Sequence, residues 1–400
     1  MTRRSSSLRV NRAAVHAFVS ILLAASCASF ATPAHAGITK VSPLAQLVAA
    51  DGASGDGFGA YVVLSGNTLV VGSPYGAGAG ATYIFTGSGA TWTQIAKLTA
   101  SDGIAGSQFG FAVAISGNTV AVGAPVQTGG AVYLFVEPAT GWADMTETAK
   151  LTYTGGDFGY CVAFGDAGKL LLTGAFFQNA AYVFAKPAKG WTTTSSPTAN
   201  LVAPAGATAF GTALAASGIT AVVGAHTTNN ASGAAYVFVL QPGVANIYSI
   251  ATLTASDSGG FLGESLAVAG NTVVAGAQGH DNDVGAVYVF VEPATGWADM
   301  TQTAELTINF GGQPAFGAGV AASAGAIFVG LPSGRAGVVV DYVKPATGWA
   351  NSSTPNLEFV PSLGSDAIGQ SVSFNGTTLA AGDFSFNQGQ GAVYIFRALK

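Results

Sequence analysis

Along its length the chain alternates short apolar runs with glycine-rich polar breaks, the pattern of β-strands joined by turns. One stretch shows the unit. Phe111 to Ile115 is an apolar run, Ser116-Gly117-Asn118 a tight turn, and Thr119 to Val122 a second run. Gly129-Gly130 then opens a third run, Ala131 to Val136, and Lys150-Leu151-Thr152 begins a fourth. The unit predicts four antiparallel strands. Ser-Gly-Asn recurs at Ser65-Gly66-Asn67 and, shortened, at Gly270-Asn271, as hairpins whose turn residues take positive φ require. From residue 37 onward no 3.6-residue period is sustained, so long helices are not expected.

The unit repeats. Phe-Gly stands at Phe58-Gly59, Phe109-Gly110, Phe158-Gly159, Phe210-Gly211 and Phe316-Gly317, with Leu262-Gly263 and Ile368-Gly369 as variants, at intervals of 49 to 54 residues. Each pair is followed by a second signature: Gly72-Ser73-Pro74, Gly123-Ala124-Pro125, Gly174-Ala175, Gly224-Ala225, Gly276-Ala277, Gly330-Leu331-Pro332 and Gly382-Asp383. A four-stranded unit cannot bury both faces alone, and radial stacking buries them while leaving short, protected edges. The expected fold is therefore all-β: a seven-bladed β-propeller of four-stranded antiparallel blades. A Tyr-x-Phe on the third strand, as at Tyr133 and Phe135, places two aromatics on one face to pack on the next blade; blade six departs, with Val340 and Tyr342. The last copy ends after its third strand, at Ile395-Phe396, while Ala45-Gln46-Leu47-Val48 reads as an orphan fourth strand. The N-terminal strand is thus expected to close the ring.

Phe-Gly near the start and Gly-Ala-Pro in the middle of each unit resemble the FG-GAP repeat family over about residues 44–397. The resemblance implies the seven-bladed propeller of integrin α-subunit heads and, more nearly, the secreted bacterial FG-GAP proteins, whose repeats read like Lys97-Leu98-Thr99-Ala100-Ser101-Asp102-Gly103. It also implies a role in adhesion or binding. Integrin-like repeats often carry calcium in an Asp-x-Asp-x-Asp-Gly loop between the first two strands. Here that connection is a tight Ser-Gly-Asn type turn in most copies, too short for several oxygen ligands, so no cofactor is carried over.

Residues 1–36 read as a signal peptide, with basic Arg3, Arg4, Arg9 and Arg12, an apolar stretch from Ala13 to Ala25 and a small-x-small site at Ala34-His35-Ala36. Lipid attachment at Cys27 is the alternative. Residues 37–43 form a short N-terminal tail, and 44–400 one propeller that is secreted, periplasmic or at the cell surface. No later run is long and apolar enough to make an integral membrane protein. The mature chain carries ten basic against nineteen acidic residues, which argues against a nucleic-acid partner. Cys161, in the apolar run Tyr160 to Phe164, reads as a buried, inert thiol.

Candidate chemistry is sparse. Asp281, Asn282 and Asp283 offer closely spaced oxygens on the connection between strands two and three of blade five, either a calcium site or a solvated acidic turn. His226 and His280, on equivalent connections, read as surface imidazoles. Asp51, Asp102, Asp257 and Asp366 recur before Phe-Gly, which favours turn capping over catalysis. The connections after Gly-Ala-Pro vary most and make Tyr75, His226 and His280 the candidate ligand-binding residues. A second candidate is a rim of Trp142, Trp297 and Trp349: Phe135 to Ala149 and Phe290 to Ala304 differ only at Glu147 and Gln302. These tryptophans either stack on a partner or cover the edge between outer strands. The expectation is an exported, non-catalytic propeller that binds a protein or glycan; a hydrolase with a site on a propeller face and a purely structural surface protein are the alternatives.

Overall fold

Seven sheets follow one another along the chain, each containing the four strands that the repeat predicts. They come from a computed structural model that describes residues 38–400 apart from 77, 242, 310–313, 333–336, 362–366, 399 and 400. The expected signal peptide, with Cys27, and Asp366 lie outside the described residues. In blade one, Tyr61–Ser65, Thr68–Ser73, Ala81–Ser88 and Thr91–Thr99 pair in chain order. First strands of successive blades touch one another around the whole ring, from Tyr61–Ser65 against Ala112–Ser116 to Ser371–Phe374 back against Tyr61–Ser65. They are therefore innermost, and the fold is a seven-bladed β-propeller. The middle strands are covered on both sides: every residue of Thr119–Ala124 is buried, which is why such strands read as unbroken apolar runs.

The signature residues sit where blades come closest. Phe109 is fully buried and meets Tyr133 and Phe135 of its own blade edge-on, with ring centroids 5.3 and 5.9 Å apart. These three share a cluster with Val70, Ile84 and Leu98 of blade one. The Tyr-x-Phe aromatics thus pack on the preceding blade, not on the next one as expected. Strand alternation gives the reason, because it turns Val132 and Leu134 toward Phe158 and Leu171 of the following blade.

Gly72 of blade one lies so close to the carbonyl oxygen of Gly110 in blade two that a Cβ would collide with it, and Gly382 of blade seven meets Gly59 of blade one in the same way. Gly110 itself holds φ at +99°, a region that favours glycine. The repeat needs both glycines because the backbone of one blade rests directly on the backbone of the next.

The ring closes as expected. Ala45–Leu47 pairs antiparallel with Ala392–Arg397, Ala45 opposite Ile395 and Leu47 opposite Val393. At the inner seam Val62 N and Leu64 N donate to Ser371 Oγ and Ser373 Oγ, each at 2.9 Å. The tail expected at 37–43 is partly structured: Thr39–Val41 runs parallel to Leu357–Phe359 of blade six. That outer strand would otherwise expose unpaired backbone groups, and Val360 N donates to Val41 O at 3.0 Å.

Blades one, three and four also gain a fifth, parallel strand: Met145–Thr146, Asn246–Tyr248 and Met300–Thr301. Each comes from the connection between the third and fourth strands of the following blade, so it straps two blades together. The two near-identical segments work alike. Asp144 and Asp299 accept from Lys97 N and Thr252 N at 2.7 Å, while Glu147 and Gln302 accept from Ser101 N and Ser256 N at 2.9 Å. The one difference between the segments therefore keeps the same bond. Among the described residues no helix is long and apolar enough to cross a membrane.

Candidate functional site

Two faces are distinguished by backbone bonds. On one, the connection after Gly-Ala-Pro meets the Phe-Gly turn, with Tyr75 N donating to Asp56 O at 3.0 Å and Phe109 N to Ala79 O at 2.8 Å. On the other, the tryptophan-bearing connection meets the first hairpin, with Glu137 N donating to Asn118 O at 2.8 Å.

The Phe-Gly face carries an aromatic arc around its inner rim. Tyr61, Phe111 and Tyr160, where the innermost strands of blades one to three begin, stand ring to ring at 4.9 and 5.0 Å. Phe176 continues the arc 4.3 Å from Tyr160, and His226 lies between Phe176 and Phe261 at 6.3 and 6.0 Å. All six are part-exposed, and Phe177, its ring centre 4.0 Å from that of Phe176, is 63% exposed. Tyr75, 36% exposed, meets Phe384 at 6.3 Å. Two polar groups join the arc. His226 Nδ1 and Glu264 Oε2 are buried atoms without a hydrogen-bond partner, while Gln278 Nε2 donates to Glu264 Oε1 at 2.6 Å. Burial lowers the His226 imidazole, keeping it neutral, and pushes the Glu264 carboxyl up to about 7. Phe176, Phe261 and Glu264 escaped the sequence reading, although Glu264 follows Leu262-Gly263 just as Phe111 and Tyr160 follow their Phe-Gly pairs.

Between about pH 4.5 and pH 7 the folded chain keeps a proton on Glu264 that the unfolded chain has lost, so its contribution to stability falls as pH rises through that window. The full effect is about 3 kcal/mol, or roughly 4 °C of melting temperature for a chain of this length. Glu264→Gln should melt about that much above the wild type at pH 8 and level with it at pH 4. Equal melts at both pH values would show that Glu264 is solvated.

The structure brings Tyr75 and His226 to this rim and sends His280 elsewhere. Neither imidazole is the surface group expected. His226 is tucked between two phenylalanines, and His280 is 7% exposed with Nε2 3.3 Å from Asp257 Oδ2 and its ring edge-on to Tyr288. Asp281, Asn282 and Asp283 are exposed on a turn with φ of +48°, +59° and +68°. Asn229-Asn230-Ala231 builds the same left-handed turn in blade four, so tolerance of positive φ accounts for the Asp and Asn composition. Among the described residues, the ligand-type side chains whose donor atoms lie within 4.8 Å of one another are Asp257, His280 and Glu305.

Asp51 and Asp102 are structural, and they grip side chains. Asp51 accepts from Tyr83 O–H at 2.9 Å and from Lys97 Nζ at 2.5 Å; Asp102 accepts from Tyr133 O–H at 2.8 Å and from Lys150 Nζ at 2.5 Å. Cys161 is likewise structural. Its thiol donates to Gly211 O at 3.1 Å, as the Ser265 hydroxyl donates to Gly317 O at 2.7 Å, and burial pushes the thiol up, which keeps it protonated.

The tryptophans close the outer edges. Trp349 is buried in the cluster between blades five and six, and Trp142 and Trp297, half-buried, pack on the clusters containing Leu98 with Phe135 and Leu253 with Phe290. Two shallow depressions lie nearby on outer strands, about 190 Å³ beside Trp191 and about 260 Å³ beside Glu305.

Fold and rim together define a seven-bladed propeller with an open, aromatic-lined face. Its repeats match the profile of the FG-GAP repeat at residues 42–85, 92–135, 196–238 and 249–290, and the chain is an FG-GAP repeat protein. In structure it is similar to a chain from the crystal structure of the mitotic checkpoint complex, at 13% identity and a TM-score of 0.58 over 95% of this chain and 99% of that one, a likeness of fold alone. No curated protein matches the sequence.

Proposed function

We propose that this protein is an exported, non-catalytic binding propeller with an adhesive or surface role, and that its ligand is a glycan seated on the aromatic arc of the Phe-Gly face. The observation that carries the reading is the arc itself: part-exposed Phe111, Tyr160, Phe176 and Phe261 beside two buried polar atoms, Glu264 Oε2 and His226 Nδ1, that lack partners. A sugar ring offers C–H faces to aromatic rings and hydroxyls to a carboxyl and an imidazole. Such unmet bonds reward a ligand that completes them. Glycoside cleavage takes two carboxyl groups across the bond; of those beside the arc, Asp157 is engaged by Phe177 N and Gln178 Nε2, while Glu264 keeps an oxygen without a partner.

The test is an array of glycans and surface proteins probed with the wild type, with Phe176→Ala plus His226→Ala, and with Trp142→Phe, Trp297→Phe and Trp349→Phe combined. A glycan should be bound by the wild type and by the tryptophan variant, and at least about tenfold more weakly by the arc variant. Binding to proteins alone, or loss in the tryptophan variant with retention in the arc variant, overturns the reading.

A further inference from the structure

Blades one and two each hold a cation in a cradle of aspartate and tyrosine. The Lys97 and Lys150 ammonium groups sit on Asp51 and Asp102, 5.4 and 5.1 Å from the Tyr83 and Tyr133 ring centres. The register is strict: Tyr83 faces Lys97 and Tyr133 faces Lys150 across the outer pair of strands. Blade five keeps the cradle, with Tyr288 O–H donating to Asp257 Oδ1 at 2.7 Å, but opposite Tyr288 stands Glu305. A carboxylate thus occupies the place of the ammonium. Burial, and then the charge of Asp257, push the Glu305 carboxyl up. In blade six the equivalent Glu358 meets Lys40 at 3.7 Å, whereas among the described residues neither lysine nor arginine pairs with Glu305. What enters instead is His280.

We propose that Asp257 Oδ2, His280 Nε2 and Glu305 form a binding site for a divalent transition-metal ion of the zinc type. An imidazole and two carboxylates suit such an ion, whereas calcium asks for six to eight oxygens. Ligand atoms around a tetrahedral zinc stand about 3.3–3.6 Å apart. Asp257 Oδ2 and His280 Nε2 are already 3.3 Å apart, and the donor atom of part-exposed Glu305 lies within 4.8 Å of both. The outer contacts fit the same role. Tyr288 O–H and Gly259 N both bond Asp257 Oδ1, leaving Oδ2 for the ion, and His280 Nδ1, buried without a hydrogen-bond partner, has Asp281 Oδ2 3.6 Å away. His280 is held in place by burial at 7% exposure. Asp257 and His280 come from turns of the Phe-Gly face and Glu305 from the fourth strand of blade five; none of the three belongs to the aromatic arc, so the site stands whether or not the arc binds a glycan.

The experiment is calorimetric titration of the full chain, purified without a polyhistidine tag, with zinc, calcium and magnesium chlorides at pH 7.5. Glu305→Lys and His280→Gln are titrated alongside. Glu305→Lys rebuilds the lysine–aspartate pair of blades one and two, so it should fold with an unchanged melt while losing the ion. The wild type should bind one zinc with a dissociation constant of about 10 µM or tighter, and melt about 3–4 °C higher at a hundredfold excess over that constant. Both variants should weaken binding at least about a hundredfold. Calcium and magnesium should leave the melt unmoved. No saturable zinc binding, or binding unchanged in both variants, overturns the proposal.

Discussion

Deleting residues 38–48 should lower the melting temperature by about 6 °C or more and leave the chain prone to self-association. The segment supplies the fourth strand of blade seven and the fifth of blade six, and its removal breaks the only antiparallel link between the first and last parts of the ring's outer wall among the described residues. Leu47, 8% exposed, packs with Phe58, Tyr83, Val393 and Ile395, and burying such a side chain stabilises by roughly 2–3 kcal/mol. The strand bonds, among them Leu44 N to Ile395 O at 2.7 Å, add about 1 kcal/mol each. A total near 5 kcal/mol corresponds to about 6 °C for a chain of this length. Ala392–Arg397, buried apart from Arg397, would then become a bare apolar edge. Differential scanning calorimetry with light scattering reads both effects, and an unchanged melt would show that the ring does not depend on its N-terminal strand.

Replacing Trp142, Trp297 and Trp349 with alanine in one variant should cost about 7 kcal/mol and lower the melt by roughly 8–10 °C. Truncating a buried tryptophan costs about 3–5 kcal/mol, and a half-buried one less. Trp349 belongs to the first class and the other two to the second. The corresponding phenylalanine variants separate packing from recognition. Phenylalanine keeps the ring and discards an N–H that at Trp297 and Trp349 is buried without an acceptor, so those changes should move the melt little. Alanine variants that melt like the wild type would return the tryptophans to the exposed binding rim.

How much of this was legible in the sequence depends on the distance over which residues act. Phe-Gly and Gly-Ala-Pro recur because two backbones touch at every blade contact, a constraint that leaves its mark on the residue itself, since only glycine fits. Strands, hairpins and closure by Ala45–Leu47 are likewise written in local alternation and in the copy that ends one strand short. The direction in which Tyr133 and Phe135 face was not, because alternation says that two residues share a side but not which neighbour occupies it. The tryptophan segments showed their importance by repetition, yet their bonds to Lys97 N and Thr252 N belong to the preceding blade.

The sites follow the same division. By itself the chain determined that Asp257 recurs as a structural aspartate and that the loops after Gly-Ala-Pro vary; tertiary structure decided that His226 lies between phenylalanines of two other blades, and that His280 turns inward to Asp257 and Glu305. The acidic run Asp281 to Asp283, which read as either a calcium site or a solvated turn, lies on a left-handed turn, where Asp and Asn are favoured by backbone conformation as well as by ions. Glu305 was invisible as a site residue until strand register set it opposite Tyr288, in the place that lysine takes in blades one and two. Periodic packing fixes what every copy must share, and that is written in each copy. A departure in one copy gains its meaning only from the side chains that stacking brings beside it.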